Sequence, residues 1–258
     1  MKPREMEGDR EFFALMERHM PRMFVSVMRH LPSDPRCRLC RAPYGGIGGR
    51  VMRRFGYGPS RKNPTLCASC FEKAPLGGVE MEIGVFLADV RGFTSMAEGM
   101  DPTGVAGLLN RFYASASAIL GRSAIIDKLV GDEVMALYIP QLFGAEASAD
   151  DMLRDARELL EAVPWLRLGV GLDIGTAYVG NVGSGEVKDF TALGDVVNTA
   201  SRLQSSAQAG QIVMSQRLVE RLTAAPADAR STKLELKGKQ EPEPVWIMDV
   251  RSQAILPA

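Results

Sequence analysis

The sequence predicts an α+β protein, and three patterns in its central part support this prediction. The apolar run Ile83–Ala88, which ends at the carboxylate of Asp89, is typical of a buried central strand. Two further apolar runs, 124–130 and 133–139, flank Gly131–Asp132, a dipeptide that favours a two-residue hairpin. Helical patterns precede and follow this hairpin. The order β-α-β-β-α-β is the ferredoxin-like arrangement.

The elements around the hairpin have recognisable limits. Asp101–Pro102 combines an N-cap with a first-turn proline, and apolar residues then continue at helical spacing to Ile119. A second helix is predicted over about 148–163, before a proline that stops it. A strand is predicted over 166–174. The glycine-rich segment 175–183 is predicted to turn this strand into another one.

Composition and charge argue against binding of the whole chain to a membrane or to nucleic acid. Of the 258 residues, 46% are hydrophobic and 24% charged, and the 31 basic and 31 acidic side chains cancel. No run approaches the ~18 apolar residues of a spanning helix, and the N-terminus lacks the apolar region of a signal peptide. We therefore expect a cytoplasmic protein without membrane attachment.

Residues 1–31 are predicted to form an amphipathic helical segment. Apolar side chains recur at helical spacing from Phe12 to Leu31, and Pro21 within this pattern indicates a kink or a division into two helices. The polar face mixes charges of both signs, so the pattern favours packing on the protein itself or on a sister subunit over a membrane surface.

All four cysteines lie in the next predicted module, residues 32–75. They form two C-x-x-C pairs, Cys37 with Cys40 and Cys67 with Cys70. Paired knuckles of this kind close tetrahedral four-cysteine sites, most often around structural zinc. An iron–sulfur cluster uses the same ligands and is the alternative. Disulfides are disfavoured in a cytoplasmic chain.

Every charged side chain between Pro35 and Phe71 is basic. These residues are Arg36, Arg38, Arg41, Arg50, Arg53, Arg54, Arg61 and Lys62. Their charges offset the formal negative charge of a metal tetrathiolate. The same charges can hold nucleic-acid phosphates, but few aromatic side chains are interleaved with them, so we do not expect a nucleic-acid partner.

The region after Cys70 contains no cysteine and no histidine. A metal site there must use oxygen ligands, which select Mg²⁺ or Mn²⁺, and Asp89 and Asp132 are predicted to stand at strand ends. Asn198 and Arg202 are spaced i, i+4, so one helix face presents an amide and a guanidinium that can converge on a phosphate-bearing ligand.

Three segments, in this order and at this spacing, resemble the class III adenylate/guanylate cyclases. They are Phe86–Thr94 (FLADVRGFT), Lys128–Asp132 (KLVGD) and Val197–Arg202 (VNTASR). The resemblance covers about residues 80–250 and leads us to assign a catalytic domain to 79–252. It implies the class III cyclase fold and a head-to-tail homodimer with two composite sites.

The resemblance also implies the metal and phosphate contacts. Asp89 and Asp132, with the backbone carbonyl of Val90, match the ligands of two Mg²⁺ or Mn²⁺ ions per site. Backbone N–H groups around Phe93 and Thr94 match the segment that holds the phosphates. Since the metals activate the nucleophile in this family, no histidine base is needed.

The remaining matches concern the base, the ribose and the transition state. Lys128 and Thr191 match the two positions that read adenine in the family. Asn198 and Arg202 match the pair that orients the ribose and stabilises the transition state. Lys237 matches a lysine that contacts phosphate.

The activity implied by the resemblance is that of an adenylate cyclase, which converts ATP to 3′,5′-cyclic AMP and pyrophosphate. Guanylate cyclase is the nearest alternative, although glutamate and cysteine would be expected at positions 128 and 191. Diguanylate cyclases share a similar Gly-Asp turn but lack the Asn-x-x-x-Arg helix. A catalytically silent cyclase fold joined to a nucleic-acid-binding zinc module is an alternative of a different class.

Overall fold

The structure is a computed structural model. The residues that it describes are 23, 27–28, 30, 35–38, 40–60, 66–72, 76–143, 148–184, 187–239 and 241–250. The predicted helical segment 1–31 therefore lies outside the described residues except at Met23, Val27, Met28 and His30, which are helical. Within the described parts of the chain, no helix is both long and apolar enough to cross a membrane.

The described residues include the following helices and strands. The helices are α1 Gly46–Arg54, α2 Ala68–Glu72, α3 Phe93–Glu98, α4 Pro102–Leu120, α5 Pro140–Phe143, α6 Ala149–Ala162, α7 Asp195–Ser206 and α8 Gln216–Val219. The strands are β1 Gly77–Val90, β2 Ile125–Val130, β3 Glu133–Tyr138, β4 Leu168–Ser184, β5 Val187–Leu193, β6 Gln211–Ser215, β7 Ala229–Leu234 and β8 Glu243–Asp249. The succession β1-α4-β2-β3-α6-β4 confirms the predicted ferredoxin-like order.

The chain divides into two compact units, which we describe separately. The first comprises Met1–Glu82, Gln141–Phe143 and Thr176–Leu193, and the second contains the rest of the chain. In the second unit the strands follow the order β2-β3-β1-β4-β6-β8-β7. Strand β1 is antiparallel to β3, whereas β4 is parallel to β6. In the first unit, β5 pairs with the later part of β4.

The predicted hairpin and helix starts are confirmed. Gly131 and Asp132 form the turn between β2 and β3, Val130 pairs with Glu133, and Gly131 has the positive φ of 59° that such turns require. The Asp101 side chain accepts hydrogen bonds from the first-turn backbone of α4 at 3.0 Å. Ser148 begins α6 with a reciprocal capping box.

The predicted turn at 175–183 is wrong. Strand β4 runs without interruption from Leu168 to Ser184, and β5 pairs antiparallel with its later part. Gly180 in this segment serves close backbone packing, because a Cβ there would lie 2.3 Å from the carbonyl oxygen of Gly77. Gly77 and Gly78 open β1, and a Cβ on Gly78 would likewise lie 2.4 Å from the carbonyl oxygen of Val179. Local sequence cannot distinguish a glycine that turns the chain from one that another strand approaches.

Candidate active site and metal centre

Three carboxylates, two of them predicted site residues, lie in the second unit where β1 ends and where the β2–β3 hairpin turns. Asp89 is the penultimate residue of β1, Asp132 lies in the β2–β3 turn, and Glu133 is the register partner of Asp89. Burial raises the pKa of Asp89; Arg91 opposes this rise and Asp132 adds to it. Burial also raises the pKa of Glu133, and both aspartates raise it further. Asp89 and Asp132 thus offer two carboxylates whose oxygen donors are of the kind that divalent cations such as Mg²⁺ prefer.

Arg91 is a site residue that sequence reasoning missed. Its Nη2 atom lies 3.1 Å from Oδ1 of Asp89, and the two side chains are only 23% and 29% exposed. The backbone N–H of Arg91 donates to the carbonyl of Arg167 at 2.6 Å, which holds the residue just after β1. The guanidinium therefore offsets part of the charge on Asp89. An arginine two residues after the aspartate was visible in the sequence, but its pairing was not.

The turn that carries Asp132 is tied to helix α4. The hydroxyl of Tyr113 donates a short hydrogen bond to the carbonyl of Gly131. Burial and the nearby Asp132 carboxylate raise the pKa of Tyr113, which keeps its hydroxyl protonated as a donor. Lys128 lies on the same hairpin, is exposed and pairs with Met135 after a β-bulge. The hairpin thus presents Asp132 at its turn and Lys128 on β2.

Helix α3 begins immediately after the first aspartate. Gly92 precedes the helix with a φ of 74°, a left-handed conformation that suits glycine, and no side chain caps the helix start. The first backbone bond of the helix runs from Met96 to Gly92 at 3.1 Å. The N–H groups of Phe93 and Thr94 therefore lie in an uncapped first turn, as a phosphate-holding segment requires.

Helix α7 presents the predicted amide and guanidinium. Asn198 is exposed and Arg202 is partly buried, while the opposite face of the helix packs Leu203 into an apolar cluster with β6 and β8. Gly238 has a φ of +79°, and a Cβ there would lie 3.3 Å from Nη2 of Arg202. The segment around the exposed Lys237 is thus beside Arg202.

Lys239 joins this segment to the start of α7 and was not assigned a role from the sequence. Its Nζ atom lies 2.9 Å and 3.0 Å from the two carboxylate oxygens of Asp195, the first residue of α7. This lysine lowers the pKa of Asp195 more than any other neighbour. Arg217 approaches the same carboxylate at 3.6 Å and also binds the buried Asp173. These charge pairs fix the helix that carries Asn198 and Arg202.

Thr191 belongs to the first unit and is therefore described apart from the other site residues. It lies on β5 opposite Gly180, and only 6% of its surface is exposed. Its neighbour Phe190 is also buried.

The four cysteines form a second candidate metal centre in the first unit. All four are free and buried, and their Sγ atoms lie within 4.8 Å of one another. Backbone N–H groups of Cys67 and Cys70 donate to Sγ of Cys37 and Cys67, each at 3.3 Å. Within the described residues, this is the one group of three or more His, Cys, Asp or Glu side chains that can share an ion. The donor set and spacing fit a tetrahedral thiolate site.

Close packing of the thiols perturbs their ionisation. Hydrogen bonds from the other three cysteines lower the pKa of Cys37, whereas the neighbouring thiols raise the pKa values of Cys40 and Cys70. Burial raises the pKa of Tyr44, and the negative charge on Cys37 adds to this effect. The thiols therefore compete for protons, a situation that a divalent cation relieves by ligating them as thiolates.

Several basic side chains of the cysteine module have structural partners. Arg36 donates to the carbonyl of Met28 at 2.7 Å, and Arg53 donates to the carbonyl of Tyr44 at 3.4 Å. The guanidinium of Arg38 lies 5.1 Å from the centre of the Phe143 ring. These arginines hold the module together, which weakens the interpretation of the basic cluster as a nucleic-acid surface.

The fold and the aspartate-bearing strand ends define a nucleotide-cyclase type of catalytic domain. The family described as "Adenylate and Guanylate cyclase catalytic domain" matches residues 79–249. The chain belongs to this family.

The chain is similar to both adenylate and guanylate cyclases. An adenylate cyclase of Anabaena cylindrica is 30% identical over 201 residues, which are 69% of this chain and 40% of that protein. The structure of the adenylyl cyclase CyaB from P. aeruginosa is 28% identical, covers 68% of this chain and 98% of that one, and has a TM-score of 0.60. The guanylyl cyclase Cya2 is 26% identical, with coverages of 67% and 93% and a TM-score of 0.57. The chain spans 32–40% of the first curated relatives.

Proposed function

We propose that the chain is an adenylate cyclase. In this reaction the ribose 3′-oxygen of ATP attacks the α-phosphorus, the bond to the β-phosphate oxygen breaks, and cyclic AMP and pyrophosphate are formed. The observation that carries the proposal is that Asp89, near the end of β1, is paired in register with Glu133, the residue next to Asp132 in the β2–β3 turn. Burial raises the pKa of Asp89, and the Asp132 carboxylate adds to this rise. The similarity to the adenylate cyclases of Anabaena cylindrica and P. aeruginosa supports it.

Asp89, Asp132 and the carbonyl of Val90 would hold two Mg²⁺ or Mn²⁺ ions. When bound, such ions supply Lewis acidity and neutralise phosphate charge. The protein contributes two rigid anchors for these carboxylates, one on β1 and one on a turn held by Tyr113. Carboxylate and carbonyl oxygens are hard donors, and such donors suit Mg²⁺ or Mn²⁺ better than a softer metal ion.

The remaining groups position the triphosphate and stabilise the charge that develops on it. Arg202 directs a guanidinium toward the α-phosphate, and Lys237 beside it adds a second positive charge. Asn198 orients the ribose from the exposed face of α7. The N–H groups of Phe93 and Thr94 donate hydrogen bonds to the outer phosphates at the start of α3.

The proposed adenine contacts explain nucleotide choice. Lys128 donates to N1 of adenine, and the hydroxyl of Thr191 accepts from the exocyclic amine. The resemblance places the aspartates of one protomer opposite the base-reading and arginine residues of its partner. We propose a head-to-tail homodimer with two composite sites on this basis.

For the cysteine module we propose structural zinc, with an iron–sulfur cluster as the alternative. Four buried thiols with backbone N–H donors match the closed tetrahedral ligand set of structural zinc sites. Bound zinc would replace the thiol protons and stabilise the small module. Metal analysis and the visible absorption of anaerobically purified protein separate the two metals.

One assay tests the proposed activity. The protein is incubated with Mn²⁺ and either ATP or GTP, and the product is identified by chromatography and mass spectrometry, with Asp89→Asn protein as the control. We expect cyclic AMP from ATP and none from the control. No cyclic product from either nucleotide would instead support the silent-fold alternative.

Guanylate cyclase is the second candidate, favoured by the similarity to the guanylyl cyclase Cya2. Guanine presents the reverse hydrogen-bonding pattern at the two atoms that Lys128 and Thr191 contact. The double variant Lys128→Glu, Thr191→Cys should therefore shift the ATP-to-GTP preference toward GTP by about 10-fold or more. An unchanged ratio of kcat/KM values in folded protein would place base recognition at other residues.

A further inference from the structure

The backbone of Phe71 is held in place by the second C-x-x-C pair of the cysteine module. It follows Cys70 directly in α2, and its backbone N–H donates to the carbonyl of Cys67 at 3.0 Å. Both cysteines belong to the cluster of thiols within 4.8 Å of one another. Any displacement of the second C-x-x-C knuckle therefore moves the Phe71 backbone.

The ring of Phe71 contacts the strand that carries Thr191. The centres of the Phe71 and Phe190 rings are 5.8 Å apart, with an interplanar angle of 49°, which is a favourable tilted aromatic arrangement. Phe190 is 4% exposed and is paired with Asn181 across the β4–β5 ladder. A buried ring has little freedom to move independently of its strand.

The same hairpin is held on its other strand by the start of β1. A Cβ on Gly78 would lie 2.4 Å from the carbonyl oxygen of Val179, and a Cβ on Gly180 would lie 2.4 Å from the Cα of Gly78. Gly180 is the register partner of Thr191. Backbone contacts on β4 and the Phe71 ring on β5 thus restrain the hairpin at neighbouring ladder positions, all within the first unit.

We propose that Phe71 is a positioning residue for Thr191, through which the cysteine module sets nucleotide affinity and base selectivity; this rests on the proposed role of Thr191 in reading the base. Adjacent strand residues point to opposite faces, so Phe190 faces the module while Thr191 faces away from it. A shift of Phe190 moves Thr191 by a similar distance. Because a hydrogen-bonding group displaced by about 1 Å loses much of its effect, small changes in the module alter nucleotide recognition.

The test compares Phe71→Ala with Phe55→Ala in the full-length protein. Phe55 is an aromatic residue of the same module that is 67% exposed, so its removal controls for a general change in the module. For Phe71→Ala we expect KM for ATP to rise about 10-fold and the ATP-to-GTP preference to fall, with kcat changed less than about threefold. Phe71→Tyr should restore KM. Metal content per module should equal that of wild type in all three variants.

A double-mutant cycle tests whether Phe71 acts through Phe190. Phe71→Leu and Phe190→Leu should each raise KM by about fivefold, and the double variant should show about the same rise instead of the product of the two. This cycle also serves if Phe71→Ala does not fold. Equal KM values for Phe71→Ala and Phe55→Ala, or strictly multiplicative effects in the cycle, would overturn the inference. If wild-type protein makes no cyclic nucleotide, the proposed function is wrong. This outcome is distinguishable from failure of the Phe71 inference, because it is measured without any Phe71 variant.

Discussion

The two candidate metal centres differ in how much of each site the chain provides. The cysteine centre has four buried donors within 4.8 Å, so its ligand set is complete. At the carboxylate edge Asp89 is partly exposed and paired with Arg91, while Asp132 lies in a turn. A complete buried set suits a resident structural ion, whereas an open pair leaves ligand positions for substrate phosphates. The difference fits the proposals that the cysteine centre holds a structural ion and that the carboxylate centre is catalytic.

The strongest test removes one carboxylate from the open centre. Asp132→Asn should lower kcat by on the order of 10²-fold or more, because a lost ligand charge removes several kcal/mol of transition-state stabilisation. Its zinc or iron content should not change. Glu98→Gln, which removes an exposed acid from α3, serves as the control for net charge. Undiminished turnover by Asp132→Asn would contradict the two-metal proposal.

A second experiment tests whether the open centre is completed by another protomer. Asp89→Ala and Arg202→Ala proteins should each be inactive, but a mixed dimer should contain one intact composite site. At equal mixing about half of the dimers are mixed, so roughly a quarter of wild-type activity should return. Native mass spectrometry verifies that mixed dimers form. If they form and stay inactive, the subunits do not share sites.

The closed centre is tested by Cys67→Ser. Loss of one of four ligands should remove the bound metal and lower the stability of the cysteine module, because ligation supplies much of the folding free energy of so small a unit. Through Phe71 and Phe190 we expect KM for ATP to rise by about 10-fold, a smaller effect than that of Asp132→Asn. Metal analysis and hydrogen exchange over residues 35–72 measure the first effect. Full metal content in this variant would refute a four-cysteine site.

The smallest expected effect is on thermal stability and comes from the burial of the Asp89 carboxylate. Because burial raises the pKa of Asp89, its ionised form destabilises the fold, and the stability conferred by the protonated form is lost as the pH rises through that raised pKa. After dialysis into buffer without divalent ions, Asp89→Asn should therefore have a Tm about 1–3 °C above wild type at pH 7. The difference should shrink as the pH falls toward the ordinary value of 3.8. A lower Tm for Asp89→Asn at pH 7 would show that the Arg91 pair outweighs the burial of the charge.

Local patterns predicted the parts of the fold that depend on local chemistry. Asp101 and Ser148 cap helices as expected, and Gly131 enables the hairpin turn. The unbroken course of β4 was missed because its glycines are required by a neighbouring backbone that lies far away in the sequence. Strand register, which pairs Asp89 with Glu133, likewise depends on long-range packing.

Predicting the site residues met the same limit. Motif matches located Asp89, Asp132 and the α7 pair, but the roles of these residues stay predictions until they are assayed. Lys239 was overlooked because its partner Asp195 lies on another element, and ion pairing between distant segments leaves no mark in the sequence. The link between Phe71 and Phe190 is of the same kind.

The close approach of Gly78 to Val179 fixes the point at which β1 crosses the β4–β5 hairpin. Residues 72–76 join Phe71 to Gly77, so both ends of this connector contact the same hairpin. A one-residue shift in the register of β1 against this hairpin would move Gly78 away from the crossing and reverse the facing of the β1 side chains. A chimera that exchanges the cysteine module for another input module should therefore keep both Gly78 and Gly180.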